Sequence, residues 1–222
     1  MTDSSEAGFR RQRFALVMVL SLGTVLLTIA VPQSDLMRAA VLFLQSLALV
    51  IALVAAHDHA ALRRTTGILA LIGLAALCLL TALGTLADDV RVTVSLLVAI
   101  ATPAVMIRGL IRLLRERGVV AQAVFGALAL YLQFGLIFAF AAAGIGTAQG
   151  TPFFGGPEEA TLGEFVYFSF TTMSTTGYGD LTPATSLGRS LAVLEMLVGQ
   201  IYLVTVVGLL VGNIGRSGKP AA

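Results

Sequence analysis

A six-residue polar stretch, Thr175-Thr176-Gly177-Tyr178-Gly179-Asp180, breaks into the most apolar part of the sequence. A long apolar run (119–146), a polar loop and a short amphipathic run (162–174) precede it, and a second apolar run (187–212) comes after. The hydrocarbon core of a bilayer offers the backbone no hydrogen-bonding partner, so a loop at that depth must have its polar groups satisfied. One solution is to line a water-filled path and lend carbonyl oxygens to passing ions. Successive carbonyls can face one axis only where some residues take left-handed dihedrals. Gly177 and Gly179 do this at little cost. The plainer reading of these residues is a Gly-rich turn joining two membrane helices.

Composition places the rest of the chain in a bilayer as well. Its 222 residues are 57% hydrophobic and only 12% charged, with a mean hydropathy of +0.94. A soluble domain carries about 25% charged residues. The expected fold class is therefore an all-α integral membrane protein, with no soluble domain of useful size. The net charge of +2 points to no nucleic acid, because the basic residues cluster beside the apolar runs. Lone Cys78 sits inside an apolar run and reads as a small core residue. There is no nucleophile–base pair, phosphate loop or metal-ligand cluster, so neither an enzyme nor a bound cofactor is expected.

Taken in order, residues 1–13 form a polar tail ending in Arg10, Arg11 and Arg13, with an apolar run at 14–31 after it. A basic start before an apolar core also describes a secretory signal peptide, with Thr28 and Ala30 as a weak cleavage site. The run is long for a signal core and near the minimum for spanning. Second and third runs cover 36–56 and 66–87. His57-Asp58-His59 between them has the i, i+2 spacing of a solvated loop more than of a metal site. The fourth run, 92–107, contains Pro103, which is expected to kink or end it. Residues 14–107 thus read as a four-helix membrane domain.

Beyond it, Arg108, Arg112 and Arg115 share one helical face opposite several apolar residues, so 108–118 reads as an interfacial linker helix. The competing reading is a voltage sensor, but 92–107 itself holds no arginine. With the N-terminus inside, eleven of the fourteen basic residues fall on the cytoplasmic side. Six spans then bring both termini to the cytoplasm of a plasma membrane. The few residues after Arg216 leave no room for a ligand-sensing domain, so none is expected.

The pore half is expected over 119–214, with a tail at 215–222. Its first helix, 28 residues long, would reach about 42 Å, so it tilts or projects. Pro152, Gly155, Gly156 and Pro157 mark a loop, and Glu158 and Glu159 near it either gather cations or are simply solvated. Thr161 and Glu164 have capping-box spacing, which starts a short helix over 162–174. That helix is too short to span and must re-enter. In the last run Gly208 and Gly212 form a small-xxx-small pair suited to helix packing. Glu195 lies deep in that run, where an acid is either functional or hydrogen-bonded behind the pore helix to Ser or Thr hydroxyls.

The hexapeptide in this setting resembles the selectivity filter of potassium channels, over residues 119–214. The resemblance implies six transmembrane helices with a re-entrant pore helix and filter loop, assembled as a homotetramer in the lipid bilayer, with K+ as the permeant ligand. It implies that Thr175, Thr176, Gly177 and Tyr178 supply the coordinating carbonyls, Thr175 adding its hydroxyl at the inner end. Gly179 and Asp180 would hold the outer end, Asp180 through an aromatic partner on the pore helix. Tyr167 and Phe168 stand where many members have two tryptophans, and Thr171 where some bacterial members have a glutamate. Gly199 has the spacing of the gating-hinge glycine, although close packing also explains a glycine there. Two other readings are a potassium transporter subunit and a non-conducting regulatory subunit. One filter copy per chain argues against the first, and an intact filter against the second.

Overall fold

The computed structural model describes residues 13–32, 34–56, 88–117, 120–156 and 160–214. The third expected span, Cys78, His57-Asp58-His59, Glu158, Glu159 and both tails lie outside the described residues. All regular structure among those described is helical: α1 (Arg13–Ala30), α2 (Asp35–Ala56), α3 (Asp88–Arg117), α4 (Ala121–Gln149), α5 (Leu162–Met173) and α6 (Ser186–Ile201). A π-helical stretch, Tyr202–Val207, continues α6 into α7 (Gly208–Ile214). Among the described residues, four segments are long and apolar enough to cross a membrane: Asp35–Leu53, Thr93–Arg115, Ala121–Gln149 and Ser186–Asn213. Phe14–Ala30 is a shorter apolar helix.

Two boundaries differ from the sequence expectation. Helix α3 runs through Pro103 without a break, so 108–118 is not a separate linker helix; Arg108, Arg112 and Arg115 ride on the last turns of the same helix. Proline removes one helical hydrogen bond, but a membrane helix packed among others tolerates that loss. Here the Thr102 hydroxyl donates to the Val98 carbonyl at 2.9 Å, beside the proline. Helix α4 extends past residue 146 to Gln149, where Gly150 stops it at φ 61 with its N–H on the Thr147 carbonyl. Glycine takes this left-handed C-cap without a Cβ penalty.

Helix α4 is the spine. Its buried positions are mostly small, including Ala123, Gly126, Ala127, Gly135 and Ala139, and small residues let membrane helices approach closely. Near its start, Phe14, Val17, Met106, Leu110 and Leu130 form one core cluster. Near its end, Leu136 and Phe140 join Val25, Phe153, Phe154, Phe165 and Phe168 in a second. Helices α1 and α3 both lie along α4, and α2 closes the bundle against α1 and α3.

Helix α1 carries its polar residues inward. Ser21, Thr24 and Thr28 are buried, and their hydroxyls donate to the carbonyls of Val17, Leu20 and Thr24 at 2.8, 2.9 and 2.7 Å. Such back-bonding satisfies a buried hydroxyl within its own helix. Gln133 of α4 adds a cross-helix bond to the Ser21 hydroxyl at 2.8 Å. The end of α1 also touches the start of α5, where an added Cβ on Gly163 would lie 2.7 Å from the Thr28 carbonyl oxygen. The first apolar run is thus a packed part of the fold, in contact with α5. By contrast, Val193, Leu194, Leu197, Ile201, Val204 and Leu209 leave an apolar face of α6 and its extension uncovered within the chain.

The Gly163 contact yields a prediction. Gly163→Val forces its branched side chain onto the Thr28 backbone and is expected to lower stability by about 1–3 kcal/mol, the usual range for overpacking. Detergent-titrated unfolding of the purified protein measures it. An unchanged midpoint would contradict the close approach of α1 to α5.

Candidate functional site

The site begins with how α5 starts. Thr161 has extended dihedrals and its side chain accepts from the Glu164 N–H at 3.3 Å. The Glu164 carboxylate reaches back to the Thr161 N–H at 2.6 Å. This reciprocal cap fixes the first turn, and the helix, 12 residues long, ends at Met173. Its unpaired C-terminal carbonyls carry partial negative charge, and the hexapeptide begins just beyond them.

The last turn of α5 takes up the amide hydrogens of the first three residues of the hexapeptide. Thr171 O accepts from Thr176 N at 2.9 Å and from Gly177 N at 3.1 Å, and Thr172 O accepts from Thr175 N at 2.9 Å. Among the described residues, no donor in the chain reaches the carbonyls of residues 175–179. Left-handed φ recurs at every second residue: Thr175 at 60, Gly177 at 53 and Gly179 at 82. Thr176 and Tyr178 between them keep ordinary negative φ. Regular alternation of hand turns successive carbonyls to the same side, instead of to opposite sides as in a strand. The two glycines were legible in the sequence. The left-handed Thr175 was not, because a β-branched residue in that region is strained.

Side-chain contacts brace this loop at three levels. At the outer end the Tyr167 hydroxyl donates to Asp180 Oδ2 at 2.9 Å, and the Tyr167 and Tyr178 rings stack with centroids 6.3 Å apart. The bond to the carboxylate holds the Tyr167 hydroxyl above the ordinary phenol range. In the middle, Ser174 Oγ and Thr176 Oγ1 lie 2.8 Å apart. At the inner end the Thr175 hydroxyl donates to the Ser174 carbonyl at 2.7 Å and accepts from Gln200 Nε2 at 3.1 Å.

Phe168 does not face the loop. It is buried against Phe153 and Phe154, at centroid distances of 6.0 and 5.1 Å, so of the adjacent pair only Tyr167 meets the hexapeptide. Consecutive helical residues point about 100° apart, which explains the division of roles. The Phe153–Phe154 segment also pairs with the strand-like exit of the loop. Gly155 N donates to Thr182 O at 3.2 Å and Ala184 N to Phe153 O at 2.9 Å. Sequence reading missed these two phenylalanines; their signal was a pair of aromatics in a loop otherwise made of breakers.

Behind α5, buried Glu195 of α6 meets the Ser169 hydroxyl, which also lies 2.6 Å from the Gly135 carbonyl of α4. One side-chain pair therefore ties three helices together. Gly199 is buried one turn further along. A Cβ there would overlap the Met173 carbonyl oxygen, so this glycine permits α6 to cross the end of α5. No such contact surrounds Gly212, and Gly208 has only a distant neighbour, so among the described residues neither packs a helix within the chain. On α3, Arg108 and Arg115 are exposed and Arg112 is half-buried, whereas Leu110 is buried in the cluster with Phe14.

Residues 126–215 match the family model described as "Ion channel". The hexapeptide and the residues of α4, α5 and α6 that brace it, from Gly135 to Gln200, fall within that match. Over this stretch the chain is similar to ion channels. "Probable potassium channel protein 2" of Methanocaldococcus jannaschii is 59% identical over 34 residues, which is 15% of this chain. The matched stretch spans only 10% of the relative's own length. No solved structure matches this chain.

The outer brace makes a second prediction. Tyr167→Phe and Asp180→Ala each remove the same hydrogen bond, so either is expected to hasten the decay of channel current, and the double variant no further. Current decay recorded from all four proteins tests it. Additive effects of the two substitutions would show that Tyr167 and Asp180 act separately.

Proposed function

We propose that this chain is one subunit of a homotetrameric potassium-selective channel that conducts K+ passively through the loop 175–180. The observation that carries the reading is the left-handed recurrence at residues 175, 177 and 179, together with donor-free carbonyls over the same residues. Carbonyls collected on one side replace the hydration shell of an ion, as in potassium-selective filters. In this reading Thr175, Thr176, Gly177 and Tyr178 supply the coordinating oxygens. Gly179 completes the left-handed pattern, and Tyr167 and Asp180 hold the outer end.

A single loop cannot surround an ion, so the reading requires further copies. Residues 174–180 are exposed within the chain, Tyr178 at 71%, and an apolar face of α6 lies open beside them. Four copies around one axis would bring the loops together and cover those faces. The name of the methanogen relative supports the choice of potassium. Six spans, cytoplasmic termini and a place in the plasma membrane complete the proposal, on the strength of the basic-residue distribution. The cluster of Arg108, Arg112 and Arg115 at the end of α3 suits the cytoplasmic interface, where long basic side chains reach water.

Gly177→Ala is the direct test. A Cβ at φ 53 costs about 1–2 kcal/mol by itself and disturbs the alternation on which coordination depends. Potassium flux into liposomes is expected to vanish while crosslinking still traps a tetramer. Normal selective flux through the variant would contradict the assignment of the loop as filter.

A further inference from the structure

Gln200 is the one polar side chain of α6 that reaches the hexapeptide among the described residues. It sits next to Gly199, whose contact with the Met173 carbonyl fixes the crossing of α6 over the end of α5. That crossing sets Gln200 Nε2 3.1 Å from Thr175 Oγ1. The hydroxyl hydrogen of Thr175 is already given to the Ser174 carbonyl at 2.7 Å. The amide edge facing it is therefore the NH2 donor, since a carbonyl edge would find no hydrogen to accept. A hydroxyl oxygen has two lone pairs. One takes the Gln200 hydrogen, and one remains for an ion.

We propose that Gln200 is a specificity-determining residue that weakens cation binding at the innermost site of the filter, by donating to the Thr175 hydroxyl. This rests on the potassium-channel reading above. The hydroxyl keeps its orientation through Ser174 whether or not Gln200 is present, so the contribution of Gln200 is electrostatic. It presents the positive end of an amide dipole at the oxygen that a cation would use. In a tetramer four such dipoles surround the inner mouth. The penalty they impose grows with ionic charge. It therefore bears hardest on a divalent ion that enters from the cavity, and lets a monovalent ion leave the site readily.

Barium is the probe, because it is a hard divalent cation suited to the same oxygen ligands. The purified protein and its Gln200→Leu and Gln200→Asn variants are reconstituted in bilayers with potassium on both sides, and barium is added on the cavity side. Leucine removes the donor, and asparagine is one methylene too short to reach Thr175, so both are expected to bind barium roughly tenfold more tightly as screened dipoles are lost. Equal effects of the two variants separate the lost hydrogen bond from a change in cavity polarity. Crosslinking into tetramers confirms that each variant folds.

Unchanged or weakened barium block in both variants, with the parent protein conducting potassium, would overturn the role of Gln200 and leave the channel reading intact. A parent protein that neither conducts potassium nor binds barium, as measured by barium-dependent thermal stability, would overturn both.

Discussion

A backbone segment at membrane depth must place every N–H and C=O, and the last turn of α5 meets part of that requirement for the hexapeptide. The amide hydrogens of Thr175, Thr176 and Gly177 go to the last carbonyls of α5, two of them to Thr171 alone. The carbonyls of the loop are then left over, and left-handed residues at alternate positions gather them on one side. The helix terminus and the loop thus solve each other's problem. A helix end has carbonyls without donors, and the loop has donors without acceptors. Among the described residues the carbonyls of 175–179 are left without a donor, as the proposed coordination of a dehydrated cation requires.

Strain at Thr175 has to be held by its surroundings, because a β-branched residue does not stay at φ 60 unaided. The bracing comes from separate elements. Tyr167 holds the exit at Asp180, and the aromatic cluster of Phe153, Phe154, Phe165 and Phe168 seats α5 against the preceding loop. Glu195 and Ser169 fasten α5 to α6 and α4. Gly199 allows the helix crossing that brings α6 to the inner end. The π-helical stretch begins just beyond it at Tyr202, which donates to the Ala127 carbonyl at 2.8 Å and packs beside Phe134. Rigid support for the loop and a change of helical form in α6 therefore adjoin one another.

Features set by local chemistry were legible in the sequence. The hexapeptide, the Thr161–Glu164 cap and the breaker-rich loop each depend on residues within a few positions of one another. Features set by tertiary contact were not. Gly199 has the spacing of a hinge in the sequence, and the contact with Met173 behind it is visible only in the structure. Phe168 looks like a partner of Tyr167 until helical geometry sends it to the other side. Pro103 signals a helix end by propensity alone, but packing against neighbouring helices carries α3 past it. Gly208 and Gly212 fit a packing pair, yet no described helix of the same chain meets them.

The measurement that bears most directly on the central claim is the reversal potential of the purified protein in bilayers under opposed potassium and sodium gradients. A value close to the potassium equilibrium potential is the predicted result, because only ions matched to the row of carbonyls would pass. A reversal potential near zero with robust current would reveal a pore that does not choose between the two ions, and would contradict the filter built from residues 175–180.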